Sequence, residues 1–577
     1  MRHRVIWLLA AALAPASAAF AQASASKAPP APKPGQKPAT VEGVTVTAPT
    51  QGFRSSIDRR SYGVASDLQA TAGSIGDALR NVPSLQVDVQ GNISLRGDPN
   101  VTIMIDGKPS GMFKGEGRAQ ALQQLPADQI ERVEVITNPS AAFSPDGTAG
   151  IINLISKKAR KPGRSGSARV NVGTGDRYNL GASGAYNSNK LTLTGDAGFR
   201  HDSQSSTLVE ERLRPDPLTG LPHESRQDSR FDGAADFWNV RAGVDYDPDA
   251  KTRFSGELRH NDIDFTARPQ DHFRGADPSG GVEQAFDRQG DIHQQRKNTA
   301  ATASYRRKFT GEDHELVVSL SREQTDDDRE RSFVTSSTVP VLPDVVQDLR
   351  YRIGQAQTQL KVDYARPMPG EAKLKAGYQL DVDDNSYDNQ AIRGDPSLTN
   401  LFLYKQAVNA LYATYERPFG DFTVLAGLRL EDVDLDLEQV TLALKTSRED
   451  VRAYPSLHLA YKLSDAQQFT ASYSQRVARP QPTDLNPFRI FIDPLNYRMG
   501  NPNLQAQETQ SFEAGYQYRK GGGFYLATLY YRQSEKGVTD VVRDIGGGVL
   551  LTTRENLASS RNGGLELVAN GRLTKTV

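Results

Sequence analysis

Few residues in this chain stand in patterns that could do chemistry. Asp381-x-Asp383-x-Asn385 opens like a calcium loop, where alternating oxygen ligands surround a hard cation. Such a loop needs glycine at its sixth position and a bidentate glutamate at its twelfth, and Ser386 and Ile392 stand there instead. A solvated loop is therefore expected. The eight histidines are scattered, and His260 and His272 would meet only through the folding of a loop. No Ser/His/Asp order, glycine-rich phosphate loop or paired-carboxylate motif stands out, so no catalytic residue, metal site or cofactor is expected. A different chemistry is offered by VEGVTVTA (41–48), where Val44, Thr45, Val46 and Thr47 are strand formers. Such a segment suits pairing with a partner's sheet edge, or else forms an ordinary edge strand of the next domain.

The elements that would position such residues are bounded by composition. The chain has 577 residues, with Lys and Arg balancing Asp and Glu at 69 each. A nucleic-acid binder would carry a basic excess, so that class is disfavoured. There is no cysteine, which excludes disulfides and thiolate metal sites. Past the N-terminus no apolar run reaches the ~18 residues of a helical span. A β-barrel remains compatible, because only alternate residues face lipid. Arg2 and Arg4, the apolar run from Val5 to Ala14, and Ala19-Phe20-Ala21 predict a signal peptide over 1–21, hence export. Residues 22–40, rich in Ala, Pro, Ser and Lys, predict an extended tether.

Residues 60–158 predict a small α+β domain. Ser74 and Asp77 form a capping-box pattern, Ile75, Ala78, Leu79 and Val82 follow at helical spacing, and Pro83 ends the run. Residues 92–97 and 101–108 alternate with period two, with a hairpin turn at Asp106-Gly107. A second helix is expected at about 118–125, and buried strands at 133–137 and 150–156. Gly97, Gly107, Gly147 and Gly150 are expected to serve turns or close backbone approach.

From 165 to 577 the chain is rhythmic. Turn clusters at 187–190, 247–250, 310–313, 369–371, 418–421, 464–465 and 520–523 recur at intervals of about 45–60 residues, each interval holding two alternating segments around a longer polar loop. Leu316, Val318 and Leu320 alternate with Val317, Ser319 and Ser321, and Phe422, Val424, Ala426, Leu428 and Leu430 with Thr423, Leu425, Gly427 and Arg429. A transmembrane antiparallel β-barrel is expected, with lipid outside and a wet lumen inside. Tyr412, Tyr415, Phe419, Tyr516, Tyr518, Tyr525, Tyr530 and Tyr531 are candidates for interfacial girdles. The carboxylates of 326–328 and 431–438 are expected on solvated loop or lumen faces. After Leu430 the apolar phase shifts by one, predicting a bulge or the membrane boundary near Glu431.

SIGDALRNVPSLQVD (74–88), NISLRGD (92–98), VTIMIDGKPS (101–110) and LPADQIERVEVITNPSAAFSPDGTAGIINLISKK (125–158) together resemble the plug of TonB-dependent outer-membrane receptors. GNPNL (500–504), after a long loop and before a new strand, is similar to the family as well, with Ala506 and Gln507 where members often carry Pro and Glu. The resemblance implies an outer-membrane β-barrel with an N-terminal α+β plug domain and no enzymatic activity. It makes VEGVTVTA the TonB box, with Val44, Thr45, Val46 and Thr47 pairing with periplasmic TonB and its inner-membrane energising complex. Arg96, Glu131 and Arg132 would be enclosed and in need of ion-pair partners in the plug or on the barrel wall. The loop 107–118 becomes the plug's candidate substrate loop, through Lys108, Ser110, Lys114 and Arg118. The expected partners are outer-membrane lipid and a small-molecule ligand such as a metal chelate. The family barrel has twenty-two strands and about sixteen are counted here, so the chain is expected to be C-terminally truncated, the rival being a complete sixteen-stranded barrel. Energy-coupled uptake of a scarce solute such as a ferric siderophore is the expected function. The alternatives are a passive porin-like or surface-binding barrel and a secreted soluble β protein.

Overall fold

The computed structural model describes residues 53–570 except 56, 65–72, 89–90, 110–112, 114–117, 125–126, 128–129, 158–161, 216–218, 312, 521–522, 547–548 and 558. The expected signal peptide, tether and docking strand (Val44–Thr47), Ser110, Lys114 and the C-terminal residues 571–577 lie outside the described residues.

The N-terminal domain contains β1 (Phe53–Ser55), β2 (Arg60–Gly63), α1 (Ile75–Arg80), β3 (Leu85–Val87), β4 (Ile93–Leu95), β5 (Val101–Ile105), β6 (Lys108–Pro109), α2 (Arg118–Gln124), β7 (Ile130–Ile136) and β8 (Gly150–Ser156). Ser74 starts α1 through a reciprocal cap: its hydroxyl accepts from the Asp77 amide at 3.2 Å, and the Asp77 carboxylate accepts from the Ser74 amide at 2.9 Å. Six strands pair in the order β1-β2-β7-β8-β5-β6, with β5 and β8 parallel. The β5–β6 hairpin turns at Asp106 (φ 50°) and Gly107 (φ 80°), the left-handed pair that a two-residue turn requires. Leu79, Ile93, Leu95, Leu122, Ile152 and Leu154 are fully buried between this sheet and the helices.

The second sheet is antiparallel. Its strands are β9 (Gly163–Gly173), β10 (Arg177–Asn187), β11 (Leu191–Pro215), β12 (Pro222–Asp249), β13 (Thr252–Ala276), β14 (Val282–Lys308), β15 (Glu315–Val339), β16 (Val345–Met368), β17 (Ala372–Arg393), β18 (Asn400–Phe419), β19 (Phe422–Gln439), β20 (Leu444–Ser464) and β21 (Gln467–Ala478). A short helix α3 (Pro482–Leu485) and strands β22 (Arg489–Asp493) and β23 (Asn496–Met499) follow, then β24 (Gln507–Lys520) and β25 (Gly523–Glu535). After β26 (Val538–Asp544) and β27 (Leu550–Asn556), the sheet resumes with β28 (Ser559–Asn570). Among the described residues it has sixteen strands, ordered by sequence neighbour, with β9 and β28 at the two ends of the order. Phe237 of β12 and Ile263 of β13 join the N-terminal domain's core, while β20, β21, β24, β25 and β28 hydrogen-bond the same domain. The sheet thus curls round that domain.

Strands β11 to β16 run 24–28 residues, where about 9–11 cross a bilayer. Much of what the sequence suggests as polar loop is strand continued beyond the membrane. The same extension bears on three local expectations and overturns the first. Asp381, Asp383 and Asn385 lie inside β17, not on a solvated loop. Asp327 faces inward and is buried. His260 and His272 both lie on β13, bonded separately to Thr299 and Asp287.

No bulge occurs at Glu431, because β19 pairs with β18 and β20 in unbroken register. Up to Leu430 the even positions of β19 are apolar and, apart from the half-buried Val424, exposed; from Asp432 the same face is acidic. Its inward face changes from Arg429 and Glu431 to Leu435 and Leu437, which pack on Leu485 and Leu504. The phase shift therefore marks where the strand leaves lipid and begins to support the outer loops. Two girdle candidates turn inward instead. The Tyr412 hydroxyl donates to Asp363 at 2.5 Å, and the Tyr530 ring lies under the Arg96 guanidinium at 4.5 Å.

Candidate ligand vestibule and plug anchorage

Charged contacts tie the N-terminal domain to the wall at two heights. At mid-height Arg96, almost fully buried, donates to Glu513 at 2.8 Å and to Glu566 at 2.6 Å. Arg60 donates to Glu566 at 2.9 Å and to Thr528 at 2.9 Å, and Thr137 donates to Glu513 at 2.9 Å. Ser84 adds a further bond to Glu566. Burial alone would lower the Arg96 pKa, but Glu513 and Glu566 outweigh it and hold the guanidinium above its ordinary value. These are charge-assisted bonds in a water-poor site, the geometry in which a buried charge is tolerated.

Higher up, residues 145–147 run beside the outer end of β21. Val477 donates to the Pro145 carbonyl at 3.0 Å, and Gly147 donates to the Val477 carbonyl at 3.1 Å. Arg479 spans Asp146 at 2.6 Å and Glu431 at 2.5 Å, and Glu431 also accepts from Arg429 at 2.6 Å. Desolvation opposes the Arg479 charge, yet Asp146 and Glu431 raise its pKa. Arg476 and Arg532 donate at 2.7 Å to the carbonyls of Asp146 and Ala149.

Above these contacts lies a cavity of about 670 Å³. Its floor is Pro99–Ile103, Phe113, Arg118, Ser144, Asp146 and Gly147; its wall is the inward face of β15 to β18; its roof is 478–484 with Arg498, Val538–Asp540 and Arg554. The roof is held by apolar seats on separate strands: Leu485 and Leu504 against Phe402, Tyr404 and Leu437, Leu495 against Phe273 and Phe286, and Phe491 against Leu349. A polar, pre-formed space of this size, floored by one domain and roofed by loops of another, is suited to binding a small molecule.

Residues 54–151 match the TonB-dependent Receptor Plug Domain, and residues 307–577 match the Outer membrane protein beta-barrel family. The chain is similar to the ferric enterobactin receptor of Pseudomonas aeruginosa, 32% identical over 135 residues, which covers 22% of this chain and 17% of that protein. It is 23% identical over 552 residues to the rhizobactin receptor of Rhizobium meliloti, covering 84% of this chain and 70% of that one. Among solved structures, the siderophore receptor PirA from Pseudomonas aeruginosa shares the fold with a TM-score of 0.61 at 14% identity, over 90% of this chain and 83% of that one. The chain belongs to the TonB-dependent receptor family. It is an outer-membrane protein of a receptor and transporter class, and its N-terminal domain is the plug.

In this TonB-dependent receptor the residues singled out from sequence are dispersed. Arg96 reaches the barrel wall, whereas Arg132 pairs within the plug, with Glu134 at 3.0 Å and Glu131 at 3.9 Å. Gly97 (φ 80°) forms a turn. Asp106 accepts from the Ser156 amide at 2.9 Å and meets Arg259 of β13 at 3.3 Å, and the Gly107 amide donates to Asn153 at 2.8 Å. Of the loop 107–118, Phe113 and Arg118 line the cavity, and Arg118 donates to the Pro99 and Val101 carbonyls at 3.3 and 3.4 Å. Lys108 does not reach the cavity: it follows the Asp106-Gly107 turn, at the end of β5 away from the floor residues. Sequence reasoning missed Asp146, Arg479, Glu431 and the wall of β15 to β18. One usable signal was the strict alternation of Gln355, Gln357 and Gln359, three carboxamides repeated on one face of a strand.

Proposed function

We propose that this receptor carries out energy-coupled uptake of a scarce, large solute of the ferric-siderophore kind. The observation that carries the proposal is the cavity between plug and outer loops, bound directly to the plug through Asp146 and Arg479. A ligand settling there touches both bodies at once, so its binding energy can bias the plug's attachment. Val44, Thr45, Val46 and Thr47 then pair as an added strand with periplasmic TonB, which draws on inner-membrane energy to displace the plug. The similarity to ferric enterobactin and rhizobactin receptors supports a ferric chelate as cargo. A passive porin is not favoured, since a plug with its own core occupies the lumen and is ion-paired to the wall. The test is deletion of 41–48: chelate uptake should be lost while binding to whole cells is kept. Uptake unchanged by the deletion refutes energy coupling.

A further inference from the structure

We infer that the outward face of the extramembrane wall carries a groove for the neutral head-group oligosaccharide of the glycolipid that surrounds the receptor. The inference rests on the outer-membrane location and is independent of the cargo. On β12 and β13 the odd positions face the plug, as Phe237 and Ile263 show, so the even positions face outward. Between two outward rows runs a hollow of about 1190 Å³ that crosses β11 to β16. One bank is the cross-strand row Ser203, Ala234, Thr266, His293, Glu330 and Arg350. The other starts at Ser205 and Asp232 and ends at Ser332 and Asp348. The floor is the inward row between them, at Gly233, Ala267 and Ile292. Small side chains at Ser203, Ser205, Ala234 and Thr266 keep the hollow open at its β11–β13 end.

The groove continues from the lipid-facing surface and climbs away from it. On β12 the lipid-facing run ends at the exposed Trp238, with Asp236 next on that face, and Ala234 lies about 14 Å further along the strand. On β15 the run ends at Leu320, with Arg322 next, and Glu330 lies about 34 Å further. A chain rooted in the outer leaflet and extending into water follows such a rising path. The charges of the groove cancel in pairs on the sheet itself. Asp232 meets Arg230 at 2.8 Å, Asp291 meets Arg268 at 3.5 Å, Glu330 meets Arg350 at 3.4 Å and Asp348 meets Arg393 at 3.4 Å. A surface neutralised in this way has little net field to draw phosphate. It presents directed polar groups instead, among them the hydroxyls of Ser203, Ser205, Thr266 and Ser332, each able to accept as well as donate. The chemistry that fits is an uncharged, hydroxyl-rich chain, not the phosphate-bearing base of the same glycolipid.

The test uses full-length receptor purified in detergent, with native mass spectrometry reading bound glycolipid. The probes are lipopolysaccharide with a complete core and lipopolysaccharide truncated to lipid A and its innermost acidic sugars. The complete form is expected to bind about tenfold more tightly, the worth of one or two net hydrogen bonds. Ala234→Trp and, separately, Ser332→Trp fill the groove and should cut that advantage to below about twofold. Thr207→Trp, outward but outside the groove, should leave it intact. Heat-modifiable migration in gels shows that each variant folds. Equal binding of the two forms, failure of both to bind, an advantage unmoved by both filling substitutions, or an equal loss in Thr207→Trp overturns the inference. A receptor dimer that dissociates when the groove is filled overturns it too, assigning the face to a second copy of the chain. Each of these results leaves the uptake proposal standing.

Discussion

Replacing Arg96 by alanine tests whether the mid-height ion pairs hold the plug. In the native receptor Arg96 is shared between Glu513 and Glu566 at 2.8 and 2.6 Å. After its removal, Glu566 keeps Arg60 at 2.9 Å, but Glu513 keeps only the Thr137 hydroxyl at 2.9 Å among the hydrogen bonds described. Breaking a buried pair by deleting one partner costs about 3–5 kcal/mol, mostly the penalty of the charge left behind. The surviving Arg60 places this case near the lower end. A loss of about 3 kcal/mol corresponds to about a hundredfold rise in the population of the detached plug. Hydrogen exchange of plug peptides covering β4 and β5, followed by mass spectrometry on the receptor in detergent, reads that population directly. The expected result is exchange faster by about two orders of magnitude in the plug, with the barrel strands unchanged. The double variant Arg96→Met with Glu513→Gln removes both charges and should recover at least half of the loss. Plug exchange unaltered in Arg96→Ala, or a double variant worse than the single one, refutes the anchoring role.

Three further outcomes follow from the same geometry. Gly150→Ala places a Cβ at φ +128° against the Ile136 carbonyl and should destabilise the plug by about 3 kcal/mol, read as increased protease cleavage between residues 93 and 136. Ser74→Ala removes the α1 cap and should cost about 1 kcal/mol, seen as a small, local rise in exchange around Ile75–Arg80. Ala426→Arg, on the lipid face of β19, should lower the stability of the inserted fold by about 2–4 kcal/mol, whereas Asp432→Arg, beyond the phase shift, should change it by less than about 1 kcal/mol; urea titration of receptor folded into lipid bilayers measures both.

The fold was legible where a local rule writes a local structure. Leu428 and Leu430 against Arg429 show which face meets lipid, and Ser74 with Asp77 shows where a helix begins, because both relations span four residues or fewer. The site was much less legible. Asp146 and Arg479 are 333 residues apart and become one ion pair only when a plug loop lies along β21. Asp381 and Asp383 look like part of a metal loop because sequence spacing alone does not separate the oxygens of a turn from alternate oxygens on a strand. The outward residues Leu380 and Val382 held the missing clue, since a metal loop has no reason to interleave its ligands with apolar side chains.

The phase shift in β19 explains why a strand so much longer than the bilayer remains well packed. Below Asp432 the lipid supplies apolar surroundings and the inward face is free to carry polar groups such as Arg429 and Glu431. Above it water replaces lipid, so the greasy side chains must turn inward and find protein: Leu435 and Leu437 meet Leu485 and Leu504. The outer loops are consequently not loose covers. They are the hydrophobic core of the extramembrane wall, seated at β13–β14, β16 and β17–β19 alike. A roof fastened around the mouth in this way fixes Arg479, Arg498 and Arg554 over the cavity, and it is this fixed roof that lets the plug's Asp146 be gripped from above while Arg96 is gripped at mid-height. Displacing the plug must then break both attachments, and only the upper one borders the space a ligand would fill.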